Sequence, residues 1–252
     1  MNSRYHAIGA VHEGTCTWLR NHPSFKDRCS SPRALLWIKG KPGSGKSTLL
    51  KYTIGEIYTL ARAPGSKVLV VSFHFHARGN DLQKTPLGFY RCLLHQVLST
   101  LPGALPDLID KFTEREKRVG LVGERWQWHK AELRAFLKTS LPRILKASSM
   151  ILFVDALDEC GKDNAIQLVN DLKVLLKDIP QSSHYFRICF SCRRCPILEY
   201  DYGPNNGLTI SVEHHNRADI EKYVGESLQY LEHSESVASL ITDKANGVFL
   251  WA

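Results

Sequence analysis

A glycine-rich loop that ends in lysine and serine has the residue types and spacing of a phosphate-binding site. Glycines let a loop curl so that successive backbone N–H groups point at a phosphate, and a following helix adds the positive end of its dipole. Lys46 would bridge the β- and γ-phosphates, Ser47 would bind Mg²⁺, and Thr48 would contact the α-phosphate. The residues therefore predict a site for ATP or ADP with Mg²⁺. In full, the loop reads Gly40, Lys41, Pro42, Gly43, Ser44, Gly45, Lys46, Ser47 and Thr48.

Three acidic residues follow an apolar run further along the chain. Residues 150–154 are apolar, Asp155 comes directly after them, and Asp158 and Glu159 follow. A carboxylate at the tip of a buried strand, the Walker B pattern, can hold Mg²⁺ through water because hard cations prefer oxygen ligands. Asp158 and Glu159 are candidates to orient or deprotonate water, and the sequence does not decide which is the base. In the alternative interpretation Asp155 caps a turn and the other two acids are solvated.

An arginine after a later apolar run is the third candidate. Arg193 follows residues 188–191, and in open α/β sheets ligands gather at the carboxyl ends of the strands. A guanidinium there could contact the γ-phosphate. Arg194 is placed equally well, a plain surface arginine is an alternative for both, and Arg78 is a weaker candidate.

A group of three cysteines and a pair of histidines are weaker candidates, and the chemistry considered for them is metal binding. Cys189, Cys192 and Cys195 have a spacing similar to an iron–sulfur loop, but no fourth cysteine follows at the required interval. His74 and His76 fall on one face of an expected strand without an evident third ligand. A structural role is therefore the favoured interpretation of both groups.

Composition limits the class of protein. The chain has 252 residues, of which 43% are hydrophobic and 23% charged, enough for one large domain or one domain plus a small appendage. A net charge of +8 would suit nucleic acid, anionic lipid or nucleotide phosphate, but it is too dispersed to choose among them. Trp126 and Trp128 could stack bases, although anchoring a helical insertion is the commoner use. Binding to nucleic acid is therefore not favoured.

Several features predict a cytoplasmic protein. The seven cysteines are scattered rather than paired, which favours reduced thiols. No apolar stretch is long enough to span a membrane, and the chain does not begin with the apolar core of a signal peptide.

Alternating strands and helices must position these residues. Residues 50–61 and 87–98 have helical periodicity, whereas five short apolar runs suit strands buried on both faces. We expect an α/β P-loop NTPase with a five-stranded, mainly parallel sheet, flanking helices and a small C-terminal helical appendage. The expected strands include residues 35–38, 68–73, 150–154, 188–190 and 208–212.

Three regions are expected along the chain. Residues 1–33 form a helical lead-in, 34–213 form the NTPase core with an exposed helical insertion near 101–146, and 214–252 begin a helical subdomain. Asn216 and Asp219 look like a capping pair at the start of a helix. The chain ends on an apolar run at 248–252, so we expect a truncated subdomain.

The motifs together resemble the NACHT branch of the signal-transducing (STAND) P-loop ATPases, particularly the fungal NLR-like and nephrocystin-like proteins. The resemblance rests on the loop, on residues 14–19, on Asp155 with Asp158 and Glu159, on residues 191–193, and on residues 245–251. It implies that the strand before Arg193 lies between the loop strand and the Asp155 strand. It also implies a switch in non-self recognition or cell death, in which an ADP-bound closed monomer exchanges to an ATP-bound, self-associating form. The effector domain, the C-terminal repeats and the winged-helix segment typical of such proteins do not fit within these residues.

We therefore expect a signalling switch that binds ATP with Mg²⁺ and hydrolyses it slowly. A GTPase is less favoured, because no strand ends in a guanine-reading motif. The open alternatives are a nucleotide-binding scaffold without significant turnover and, less favoured, a nucleic-acid-stimulated ATPase.

Overall fold

A five-stranded parallel sheet forms the centre of the computed structural model, which describes residues 3–179, 184–194, 208–230 and 234–251. The strand order is β2-β3-β4-β1-β5, and every neighbouring pair is parallel. The predicted α/β class is confirmed, and β4 lies between β1 and β3 as the resemblance implied. The strands are β1 (Arg33–Lys39), β2 (Val68–His74), β3 (Ser149–Asp155), β4 (Phe186–Cys192) and β5 (Leu208–Ser211).

Helices connect and cover these strands. They are α1 (Ser3–Ala7), α2 (Pro23–Ser30), α3 (Lys46–Ala61), α4 (Asp81–Lys84), α5 (Pro86–Thr100), α6 (Pro106–Val119), α7 (Lys130–Ala147), α8 (Lys162–Asp178), α9 (Arg217–Leu228) and α10 (Ser234–Ala245). Short 3₁₀ turns include Thr17–Asn21, Leu157–Cys160, Val212–His214 and Phe249–Trp251. In the described part of the chain, no helix is both long and apolar enough to cross a membrane.

The sheet is buried on both faces, which explains its uninterrupted apolar strands. Along β1, Leu35 and Trp37 join a core shared with α5, α7 and α8, whereas Leu36 and Ile38 join a core shared with α3 and the lead-in. Side chains alternate along a strand, so an apolar run with no polar position requires a partner layer on each side. The carboxyl ends of the strands are thereby held in fixed positions.

The region near 101–146 contains two different helices. No residue of α6 is buried. In contrast, α7 buries six residues, including Leu137 and Leu141, in the core beside α5. The exposed part is therefore confined to α6 and its neighbouring loops, because α7 supplies part of the layer that covers the sheet.

Two polar residues at the start of α9 link the C-terminal helices to the rest of the fold. The interpretation of Asn216 and Asp219 as a capping pair was wrong. Asn216 precedes α9, but its Nδ2 donates to the carbonyls of Ser44 (3.0 Å) and Gly247 (2.9 Å). Asp219 accepts hydrogen bonds from the backbone N of Cys16 and from Nε1 of Trp18.

Candidate nucleotide-binding site

The glycine-rich loop joins β1 to α3 in the strand–loop–helix arrangement that the sequence predicted. Gly43 (φ 74°) and Gly45 (φ 91°) adopt left-handed backbone conformations, which glycine enters without the steric cost of a Cβ atom. Gly40 is needed for a different reason, since a Cβ there would lie 2.7 Å from both Ser44 Oγ and Glu213 Oε2. The loop therefore has a conformation that depends on three of its glycines.

The side chain of Lys46 folds back over this loop. Its Nζ donates hydrogen bonds to the carbonyls of Gly40 (3.0 Å) and Lys41 (2.7 Å). Burial lowers the pKa of Lys46, and nearby acids including Asp158 and Asp155 partly oppose that shift. An anionic ligand beside Nζ would stabilise the charged ammonium further.

Asp155 lies at the end of β3 and is fully buried among three donors. The hydroxyl of Ser47 donates to its Oδ1 at 3.1 Å, the hydroxyl of Ser191 donates to the same oxygen, and Nδ1 of His74 lies 3.2 Å from Oδ2. Burial acts to raise the pKa of Asp155, but the His74, Ser191 and Ser47 interactions outweigh it and lower the pKa. The carboxylate is therefore held ionised.

The oxygens of Ser47 and Asp155 fit Mg²⁺. A hydroxyl and an ionised carboxylate are the ligand types that this cation takes in phosphate-binding sites. They come from two motifs far apart in sequence and meet at the carboxyl edge of the sheet. These residues would hold the metal between themselves and the phosphates.

Sequence reasoning did not find two members of this cluster. Ser191 also accepts a hydrogen bond from the backbone N of Ala156 (2.9 Å), so it joins β4 to the loop after β3. His74 was interpreted as structural, but the register of β2 and β3 places it directly opposite Asp155. A signal for both was available in the parallel register, since a polar residue at the end of an apolar strand faces the same edge as Asp155.

The acid pair and Arg193 form a second layer beside Asp155. Asp158 Oδ1 accepts from the backbone N of Arg193 (3.0 Å), and Arg193 Nε lies 2.9 Å from Asp158 Oδ2. Glu159 Oε2 accepts from the backbone N of Ala77 (2.7 Å), just after β2. The structure thus brings all three candidates to the carboxyl edge of the sheet, with Arg193 paired to Asp158.

The other two candidate arginines are placed differently. Arg194 Nε lies 3.0 Å from Oε1 of Glu213, although neither oxygen of this buried carboxylate has a hydrogen bond of good geometry. Arg78 is exposed in the loop after β2. Arg194 therefore faces the turn after β5, whereas Arg193 faces the acid pair.

The remaining chemical candidates lie apart from this edge or are buried. Cys189 and Cys192 are buried, and Cys195 lies outside the described residues. Among described residues, no cluster of three metal-ligating side chains occurs. Trp126 and Trp128 pack edge to face at 4.9 Å, and the guanidinium of Arg115 lies over both rings. Their contacts are those of anchors in the loop between α6 and α7.

A cavity of about 170 Å³ lies on the other side of the loop, between the lead-in and α9. Its walls include Trp18, Leu49, Val212, Tyr223 and Phe249, and it reaches Gly45 and Thr48 of the loop. An apolar, aromatic cavity next to a phosphate loop has the lining chemistry that suits a planar base. The phosphate loop and this cavity are therefore adjacent parts of one candidate site.

The sheet order, the loop and the Asp155 strand define the chain as a P-loop NTPase. The chain belongs to the nephrocystin 3 N-terminal family, whose model matches residues 14–193. A search among curated proteins finds no match to this chain.

Solved structures share this fold at low sequence identity. The ORC2 protein of Aeropyrum pernix, in ADPNP–ADP complexes, has 13% identity and a TM-score of 0.52 over 95% of this chain and 59% of that one. The ORC1 protein of Aeropyrum pernix, in complex with DNA, has 12% identity and a TM-score of 0.51 over 94% and 61%. A Walker-type ATPase of Pyrococcus abyssi has 14% identity and a TM-score of 0.50 over 94% and 64%. The chain thus spans less than two thirds of each of these proteins, and the likeness is one of fold.

Proposed function

We propose that the chain binds ATP or ADP with Mg²⁺ on the glycine-rich loop. One observation carries this proposal: Ser47 Oγ and Asp155 Oδ1 lie 3.1 Å apart next to the loop, so two magnesium-type ligands from separate motifs meet where the phosphates would lie. Lys46 would exchange its bonds to the loop carbonyls for bonds to phosphate oxygens. The apolar cavity beside Gly45 and Thr48 would take the base.

Slow hydrolysis of ATP is the second part of the proposal. Asp158 and Glu159 lie just beyond Asp155 and are the acids that can position a water, and Arg193 is the cation that can contact the γ-phosphate. Arg193 would have to divide its donors between Asp158 and that phosphate. Its side chain is 55% exposed, which leaves room for this rearrangement.

We further propose that the nucleotide controls an NLR-like signalling switch of the NACHT type in the cytoplasm, which self-associates through the NTPase core when ATP is bound. Contacts between the loop and the C-terminal segment support it. Lys41 Nζ donates to the carbonyl of Asn246 (3.1 Å), and the backbone N of Leu250 donates to the carbonyl of Gly43 (3.3 Å). A ligand that reshapes the loop would therefore alter these contacts.

A nucleotide-binding scaffold without turnover is the second candidate. The observation that favours it is that both candidate bases already have partners, Asp158 with Arg193 and Glu159 with the backbone of Ala77. An acid held in this way can support the loop structure without activating a water. The two functions share the binding site and differ only in catalysis.

Nucleotide affinity with and without the loop lysine tests the binding proposal. Calorimetric titration with Mg²⁺ and ATP should show that Lys46→Ala loses at least about 100-fold in affinity, because several charge-assisted hydrogen bonds are lost together. Lys117→Ala, on exposed α6, removes the same charge elsewhere and should bind as the unchanged chain does. Equal affinity in Lys46→Ala would contradict the proposal.

A single-turnover assay separates the switch from the scaffold. Phosphate release from ATP should exceed background and should fall in Glu159→Gln or Asp158→Asn without loss of binding. Release at background over hours would support the scaffold instead. Parallel reactions with GTP and with added nucleic acid test the less favoured alternatives.

A further inference from the structure

A second cavity, of about 330 Å³, separates the glycine-rich loop from the N-terminal segment. Lys46, Ser47 and Thr48 line one side of it, and Arg4 of α1 lines the other. No acidic residue lies among the described residues that line it. The cavity is therefore lined by two cationic side chains and the amino end of α3, and by no acidic side chain among the described residues.

Arg4 is poorly satisfied in this position. Its Nε is buried and has no hydrogen-bond partner among the described residues. A guanidinium stays charged under all ordinary conditions, and a buried donor without an acceptor costs free energy. An anion in the cavity would supply the acceptor.

Contacts to β2 and α3 hold the segment that carries Arg4. The ring of Tyr5 packs against that of His74, with centroids 5.2 Å apart. Lys51 Nζ lies 5.2 Å from the Tyr5 ring and donates to the carbonyl of Ile8 at 2.5 Å. Arg4 is therefore held beside the cavity by the contacts of Tyr5 and Ile8, which follow it in the chain.

We propose that Arg4 binds the α- and β-phosphates of the nucleotide and closes the phosphate site from the N-terminal side. This inference rests on the proposed nucleotide binding. The cavity reaches Gly45 and Thr48 of the loop but is not lined by Asp158, Glu159 or Arg193, which lie on the γ-phosphate side. Arg4 therefore contacts the part of the phosphate chain that ADP and ATP share.

Affinities of ADP and ATP for Arg4 variants test the assignment. In calorimetric titrations of the full chain with Mg²⁺, Arg4→Ala should weaken both nucleotides by a similar factor of about ten, as expected for a lost hydrogen bond to a charged group. Arg4→Lys keeps the charge but not the fork of donors, and it should lose less than Arg4→Ala. Arg118→Ala is the matched control, because it removes one positive charge from the exposed face of α6.

Three results would overturn the assignment. One is unchanged affinity for both nucleotides in Arg4→Ala. Another is a loss of affinity for ATP alone, which would place Arg4 at the γ-phosphate. The third is a lowered melting temperature of Arg4→Ala together with unchanged affinity of Arg4→Gln for both nucleotides. Arg4 would then contribute to folding and not to nucleotide binding. Failure of the proposed function is distinguishable, because then the unchanged chain and Lys46→Ala would both fail to bind.

Discussion

Nδ1 of His74 lies 3.2 Å from Oδ2 of Asp155, and both side chains are buried. An ionised carboxylate only accepts hydrogen bonds, so Nδ1 carries the proton of this imidazole. The contact leaves Oδ1 to Ser47 and Ser191. His74 thus fixes which oxygen of Asp155 faces the glycine-rich loop.

Replacement of this histidine should weaken both the fold and the use of Mg²⁺. In His74→Phe the ring volume is nearly kept but Asp155 loses a donor, so the free energy of unfolding should fall by about 1–3 kcal/mol. The Mg²⁺ concentration needed for half-maximal ATP binding should rise. Urea unfolding and Mg²⁺ titrations measure these effects. His74→Asn restores a donor and should recover part of the unfolding free energy and part of the Mg²⁺ affinity. Equal values of both quantities in His74→Phe and His74→Asn would argue that His74 does not position Asp155.

Ser191 should matter for stability because it serves two partners. Its hydroxyl donates to Asp155 and accepts from the backbone N of Ala156, so Ser191→Ala removes one of the three donors to Asp155 and leaves the N–H of Ala156 without this acceptor. A loss of about 1–3 kcal/mol in the free energy of unfolding is expected. Ser99→Ala, which removes an exposed hydroxyl from α5, should change it by less than about 0.5 kcal/mol. Similar losses in the two variants would refute this role of Ser191.

Arg193 should affect catalysis more than stability. Its ion pair with Asp158 is half exposed, so Arg193→Ala should cost less than about 1 kcal/mol of unfolding free energy after solvent screening. Phosphate release in single-turnover reactions should fall well below that of the unchanged chain, while ADP affinity stays the same. Arg194→Ala provides the comparison, and an equal effect of both variants on release would contradict the choice of Arg193.

The burial of Asp219 predicts that two substitutions at this position differ in how their stability depends on pH. Burial raises the pKa of Asp219, partly opposed by its hydrogen bonds from Cys16 and Trp18. A folded-state pKa above the unfolded one means that this carboxyl's contribution to stability is full below the unfolded pKa and is lost as pH rises through the folded pKa. Asp219→Asn, which keeps an acceptor without the charge, should therefore be at least as stable as the unchanged chain near neutral pH.

The same comparison should change in acid. The advantage of Asp219→Asn should shrink as pH falls to about 4 and below, where the unfolded carboxyl also takes up its proton. Asp219→Ala should lose about 1–3 kcal/mol at both pH values, because two N–H groups lose their acceptor. Urea unfolding at neutral pH and at about pH 4 measures the free energy of unfolding of the unchanged chain, Asp219→Asn and Asp219→Ala. A stability advantage of Asp219→Asn that does not change with pH would contradict the burial argument.

The strands and the loop could be predicted from sequence because their signals are local. Apolar runs such as residues 150–154 show burial on both faces, and the glycine spacing specifies a turn between strand and helix. The contacts of Asp155 are not local in the sequence. A polar residue at the end of an apolar strand, such as Ser191, indicates the edge of the sheet that it faces, but its hydrogen bond to Asp155 also depends on β4 lying next to β3.

Asn216 is a case in which the local sequence predicts a role that the side chain does not have. Its place before a helix matches a capping pattern, and local sequence gives no reason to expect anything else. The side chain instead bonds two carbonyls far away in sequence, because the chain after α10 folds back over the loop. Contacts of this kind depend on how separate elements dock, which residue spacing does not encode.

The amide of Asn216 joins the loop to the C-terminal segment. A single nitrogen spans the carbonyls of Ser44 and Gly247, so neither carbonyl can shift away from the other without breaking one of its two hydrogen bonds. Asn216 is 2% exposed, so water has little access to replace a broken bond. We therefore expect a displacement of the loop to shift residues 246–251 as well, because a single side chain joins the two without an intermediate helix.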